Sequence, residues 1–267
     1  MSVVLPSGIL AISIDLELDA QRRGLDQQQA LETVTERLLS LLSKYRLQAT
    51  WAVADPAISA ATERLTTSGA GQEIAILADH TWAGREAGRS RFAREIARRV
   101  SRARAAGLDV STLVLRDGTL GDQLDLVVKN GIRALRASYE PALDGAWFAA
   151  RVVAQPRSPR FGLWELPPSW RLPSLSRWSV GGGGAGTAKR GIDQATAAKT
   201  VYHLMIDGLL LAAAGKSAER VLEKVLRHAE RRRAQGALRV MTLADTAQCL
   251  TGDRHATPAR SILRPAA

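Results

Sequence analysis

Cysteine is almost missing from this chain of 267 residues, with Cys249 its single thiol. One thiol excludes an internal disulfide and a cysteine-based zinc cluster, and it suits a reducing compartment. Long apolar runs are missing as well. The first, Ile9 to Ile14, meets Asp15 after only a few residues, which is too short for a membrane span, and no basic residue precedes it as a secretory leader would require. These absences point to a cytoplasmic protein without a membrane segment. Neither an internal repeat nor an interdomain linker is evident. One domain is expected over residues 1–252, followed by a basic, Pro-containing tail at 253–267 that is expected to be disordered.

What is present is ordinary core material, 46% hydrophobic with 22 Gly and 10 Pro, together with a net charge of +11. The charge raises the question of a polyanion partner. The excess is mostly arginine scattered along helical patterns, so it reads as a solvated surface, and nucleic acid is not expected as a partner.

Strand-like and helical patterns alternate along most of the chain. Ile9 to Ile14 reads as a buried strand, and Asp26 with Gln29 resembles a capping box ahead of the stripe Leu31, Val34, Leu38, Leu41 and Leu42. Further strands are expected at Ala49 to Ala54, Glu73 to Leu77, Thr112 to Leu115, Ile132 to Leu135, Thr200 to Ile206 and Leu238 to Met241. Helices are expected from Pro56, over Gly88 to Ala106, over Asp122 to Asn130, from Ser217 to Gly236, and after a capping box at Thr242 to Asp245. Tyr139 to Gly186 is less regular, and Gly181 to Gly186 reads as a flexible loop without the context of a phosphate-binding one. Such alternation predicts an α/β fold, a single deformed (β/α) barrel with seven or eight mostly parallel strands.

Functional groups of such barrels sit where strands end. Asp15, Glu17 and Asp19 alternate after the first strand, and an apolar strand that ends in Asp15 needs a reason to do so. Asp55 after the second strand reads as a helix cap. His80, in Asp79-His80-Thr81-Trp82, is a candidate metal ligand or acid–base group. Arg116 could hold Asp15 or pair locally with Asp117. His203, Met205 and Asp207 alternate onto one face, with Asp207 at the functional end.

In their order, these positions resemble the polysaccharide deacetylase family, the NodB-homology group of carbohydrate esterases. Ser13-Ile14-Asp15-Leu16-Glu17 resembles the first motif, Ala49-Thr50-Trp51 the second strand, and His80-Thr81-Trp82-Ala83-Gly84 the His-Thr-x-x-His motif. Leu115-Arg116-Asp117 is similar to the third motif. Gly162 to Pro167 and Val201 to Asp207 are similar to a subgroup that ends in His-Leu-Trp-Phe-His-Pro.

The resemblance implies a hydrolase acting on an N-acetylated sugar or a related amide, with Asp15 as base, Arg116 orienting it and Asp207 in the late-motif position. It implies a divalent metal, zinc or similar, at His80 and Glu17, and sugar contacts by Trp82 and Trp164. Three positions depart from the family. Leu16 stands where a second Asp belongs, Gly84 where a second histidine belongs, and Asp207 where a late histidine belongs. His80 and Glu17 alone fall short of the three protein ligands of a catalytic zinc, unless Asp79 or Asp55 joins them. The alternative is a catalytically impaired relative that binds carbohydrate, or a partner protein, through the same mouth, where Trp147, Trp164, Trp170 and Trp178 could stack on sugar rings.

Overall fold

The alternating pattern builds a single curled sheet with helices outside it, seen in a computed structural model that describes residues 5–16, 25–68, 71–116, 120–137, 155–158, 161–172 and 183–256. In chain order the elements are β1 (Gly8–Asp15), α1 (Leu25–Lys44), β2 (Thr50–Val53), α2 (Ala60–Thr67), β3 (Glu73–Ala78), α3 (His80–Ala83), α4 (Arg89–Ala105), β4 (Thr112–Leu115) and α5 (Leu124–Lys129). They continue with β5 (Ala134–Arg136), β6 (Trp164–Glu165), β7 (Trp170–Leu172), α6 (Gly183–Ala198), β8 (Val201–Asp207), α7 (Gly208–Ala234), β9 (Leu238–Met241) and α8 (Leu243–Ala256).

Neighbouring strands run parallel in the order β6-β5-β4-β3-β2-β1-β8-β7. β1 is the hub. β8 pairs along one edge from Ile9 to Asp15, while β2 takes Ser13 to Asp15 and β9 takes Gly8 to Ala11. The path ends at β6 and β7, which do not pair with each other among the described residues, so the barrel stays open on that side. The deformed barrel is as expected. Its described strands number nine, because β6 and β7 lie in the stretch that looks irregular in sequence.

Strand alternation sorts the core into layers. On β1, Leu10, Ile12 and Ile14 face outward into a cluster with Val34, Leu38 and Leu42 of α1 and Leu222, Val225 and Leu226 of α7. A second outer cluster packs Phe92, Ile96 and Val100 of α4 against Ile76 and Leu113. The other parity faces inward. Ile9, Ala11, Ala52, Ala75 and Val114 meet Leu243, Ala247 and Leu250 of α8, which closes the amino end. There Glu73 accepts from Thr50 Oγ1 (2.6 Å), from the Ala244 amide (3.1 Å) and from Thr112 Oγ1. Thr50 Oγ1 in turn accepts from the Leu243 amide at 2.8 Å. The expected cap of α8 is present, with Thr242 Oγ1 accepting from the Asp245 amide at 3.1 Å.

Four expectations need correction. Pro56 does not open a helix: Asp55 Oδ1 accepts from the Ala57 amide in a tight turn, and α2 starts at Ala60. The helix expected from Ser217 instead begins at Gly208 and carries a break at Gly215, whose φ of 64° and ψ of −156° leave the helical region. Gly183 to Gly186 belong to α6 rather than to a loop. α6 needs glycine for close approach, since a Cβ on Gly191 would lie 2.2 Å from the Tyr202 ring. Finally, α8 runs to Ala256, past the expected domain end, and residues 257–267 lie outside the described residues.

Candidate active site

Asp15 is the last residue of β1, in register with Ala52 on one side and Asp207 on the other. Its odd-numbered parity turns it inward with Ser13, and it is 7% exposed. A carboxylate at that depth needs a counter-charge, and Arg136, the last residue of β5 and fully buried, supplies one. Nη1 and Nη2 of Arg136 donate to Oδ1 and Oδ2 of Asp15, each at 2.7 Å, in a bidentate fork. Arg136 Nη2 also reaches the Leu115 carbonyl at 3.4 Å, while its Nε is buried without a partner.

Below this pair the polar column continues. Arg136 Nη1 lies 3.3 Å from Ser13 Oγ, Ser13 Oγ lies 2.8 Å from His203 Nε2, and His203 Nδ1 lies 2.9 Å from the Leu166 carbonyl. Burial, and then the Arg136 charge, push the His203 pKa down to about 3, so the ring is neutral near pH 7. The carbonyl can only accept, which fixes the proton on Nδ1. The bare Nε2 therefore accepts from the Ser13 hydroxyl.

The other sequence candidates are placed as follows. Asp207 stands beside Asp15 across the β1–β8 register, but both its oxygens are engaged. Oδ2 accepts from Arg171 at 2.7 Å, and Oδ1 caps α7 by accepting from the Leu210 amide at 2.9 Å. Arg116 is exposed just past β4, its amide donating to the Ala78 carbonyl at 2.8 Å. The arginine that holds Asp15 is thus Arg136. Arg116 lies one residue beyond its strand, at the surface, whereas Arg136 is still within β5 and faces inward. His80 is exposed at the start of α3, and Asp79 caps that helix by accepting from the Thr81 amide at 2.8 Å. Asp55 pairs with Arg102 at 2.9 Å and Arg98 at 3.5 Å.

Trp82 and Trp164 are buried, each 3% exposed. Trp82 stacks on Phe92, with centroids 5.8 Å apart, beneath the Arg99 guanidinium at 4.3 Å. Trp164 Nε1 donates to Thr251 Oγ1 of α8 at 2.9 Å. Their rings are packed into the core rather than displayed at the surface. Trp170 is likewise buried, in the outer cluster. Glu17, Asp19, Asp117, Trp147 and Trp178 lie outside the described residues. Arginines of α4 are drawn into contacts within the molecule, as Asp55 and Trp82 show, and Arg89 pairs with Asp125.

A metal needs converging free donors. Among the described residues no three His, Cys, Asp or Glu side chains converge. Asp15 and Asp207 are ion-paired with Arg136 and Arg171, and both ring nitrogens of His203 are engaged, by Ser13 and the Leu166 carbonyl. The described residues thus assemble no three-ligand metal centre, and Glu17, expected beside His80, lies outside them.

Ser13 and Arg136 escaped the sequence reading. The signal for Arg136 was the one that singled out Asp15, a charge closing an apolar strand. For Ser13 the signal was its parity with Asp15.

No family model matches the chain, and no curated protein matches its sequence. Solved structures do match its shape. One from Mycobacterium smegmatis, described as a polysaccharide deacetylase, aligns with a TM-score of 0.67 at 15% identity over 99% of this chain and 98% of that one. A second, from Pseudomonas aeruginosa PAO1 and described in the same way, gives 0.63 at 14% identity over 94% and 91%. A 4-alpha-glucanotransferase from Thermococcus litoralis gives 0.62 at 12% identity, over 91% of this chain but 40% of that one. The chain thus has the NodB-like, polysaccharide-deacetylase type of fold.

Proposed function

We propose that the protein is a deacetylase-like hydrolase that cleaves the C–N bond of an N-acetylated sugar or a related amide, with Asp15 as its general base. The observation that carries this reading is the Asp15–Arg136 pair at the carboxyl end of β1, the end at which barrels of this type do their chemistry. The shared fold supports the reaction class.

Arg136 keeps the Asp15 carboxylate oriented, and each carboxylate oxygen retains a second lone pair. A water bound there gives its proton to Asp15 as its oxygen adds to the acetamide carbon. The C–N bond then breaks, the proton passes to the leaving nitrogen, and acetate and a free amine result. Asp207 lies next to this centre, with its charge balanced by Arg171. The single Cys249 is the support for placing the protein in the cytoplasm, which cell fractionation would check.

Acetate release from N-acetylated oligosaccharides is the test, run without added metal and with zinc, cobalt, manganese or nickel. Wild-type protein should turn over, and Asp15→Asn, which keeps the shape but not the basicity, should lower kcat by about 10²-fold or more. No acetate under any of these conditions would overturn the proposal in favour of carbohydrate binding without turnover.

A further inference from the structure

We infer that Ser13 and His203 are positioning residues, which hold the Arg136 guanidinium in the orientation that aims Asp15; the catalytic part of this inference rests on the reading of Asp15 given above. Ser13 is 0% and His203 1% exposed, so neither can meet a substrate directly. Their hydrogen bonds form one chain with a single polarity. Arg136 donates to Asp15 and to Ser13, Ser13 donates to His203, and His203 donates to the Leu166 carbonyl. The polarity is imposed from the far end, because a backbone carbonyl cannot donate.

The carbonyl itself is well anchored. The Leu166 amide donates to the Leu135 carbonyl at 2.8 Å, the Ser169 amide to the His203 carbonyl at 2.8 Å, and the His203 amide to Ser169 Oγ at 3.0 Å. Arg136 needs such support. Its Nε has no partner, so the Asp15 fork, Ser13 and the long contact to the Leu115 carbonyl are what fix the plane of the guanidinium. Without Ser13 the plane can tilt and carry Asp15 with it. A small misplacement at the reacting centre lowers kcat more than it changes KM.

The test combines kinetics with a readout that needs no turnover. Ser13→Ala and His203→Asn should each lower kcat about tenfold, with KM changed by no more than about twofold. The double variant should be no worse than the poorer single, because both cut the same chain. Singles with wild-type kcat, or losses that multiply in the double, would overturn the inference. In 15N-labelled protein the Arg136 Nη protons should rotate slowly in the wild type and faster in Ser13→Ala, and unchanged rotation would also overturn it. Ser13→Cys, close in shape but a weaker donor, serves if the alanine form does not fold. Should the wild type release no acetate, the Asp15 reading falls while Arg136 rotation still decides the positioning role.

Discussion

At its carboxyl end the inner face of the sheet holds Asp15 with a full counter-charge, two guanidinium N–H groups at 2.7 Å. At its amino end the same face holds Glu73, which receives two threonine hydroxyls and the Ala244 amide. Burial is the largest influence on Glu73 and raises its pKa, against the lowering effect of those hydrogen bonds. The two ends thus treat a carboxylate differently. One keeps a charge in place by neutralising it with another charge. The other wraps a carboxyl in neutral donors and uses it to tie β2, β3 and β4 to α8. The first arrangement suits chemistry, because a paired charge retains lone pairs for a ligand. The second suits closure of the barrel.

The largest test of that contrast is Arg136→Met. It leaves the Asp15 charge buried and unpaired, and the cost should be about 3–5 kcal/mol in urea unfolding. Adding Asp15→Asn should recover most of the loss, since no lone charge then remains. A cost under about 1 kcal/mol for Arg136→Met would mean that water reaches Asp15 and that the two ends are alike.

Acid comes next. The folded His203 pKa, about 3, lies below its ordinary 6.5. The unfolded chain therefore binds a proton there that the folded one refuses as pH falls from about 6.5 to about 3. The stability linked to His203 is complete above 6.5 and drains across that window, by up to about 1.4 kcal/mol per pH unit. His203→Asn should flatten that part of the profile, and an unchanged slope would show that the ring takes up its proton freely.

The smallest effect should come from Glu73→Gln, whose amide oxygen can still accept from Thr50 Oγ1 and the Ala244 amide while its NH2 donates to a reoriented Thr112 hydroxyl, and it should cost about 1 kcal/mol or less. Its pH signature has the opposite sign to that of His203. A raised folded pKa means that the unfolded chain loses its proton first, so the Glu73 contribution is present below the ordinary carboxylate pKa and declines as pH rises through the folded one. Glu73→Gln should remove that decline in a pH series of unfolding curves.

Much of the frame was legible in the sequence because local chemistry marked it. Thr112–Leu115 and Leu238–Met241 are strands at the expected bounds, and α4 runs between Gly88 and Gly107 as its stripe of Phe92, Ile96 and Val100 predicts. α6 was hidden because glycines at its start read as a loop, and the reason for Gly191 lies on β8 in the Tyr202 ring. β6 and β7, at two and three residues, are too short to show a period. In the site, Asp15 announced itself by ending an apolar strand. Arg136 did the same on a shorter strand, but Arg116 offered a nearer partner along the chain.

The sequence alone determined the alternation of strands and helices, the inward parity of Asp15 and Asp207, and the lack of a second cysteine for an internal disulfide or a cysteine-based zinc cluster, because periodicity and residue type act within a few positions. Only the tertiary structure decided which arginine meets Asp15, that His203 is neutral with its proton on Nδ1, and that Trp82 and Trp164 are core. The first two depend on residues 37 to 190 positions apart being brought within a few ångströms on one inner face, and on the water they lose there, while the two tryptophans are core because α4 and α8 pack over them.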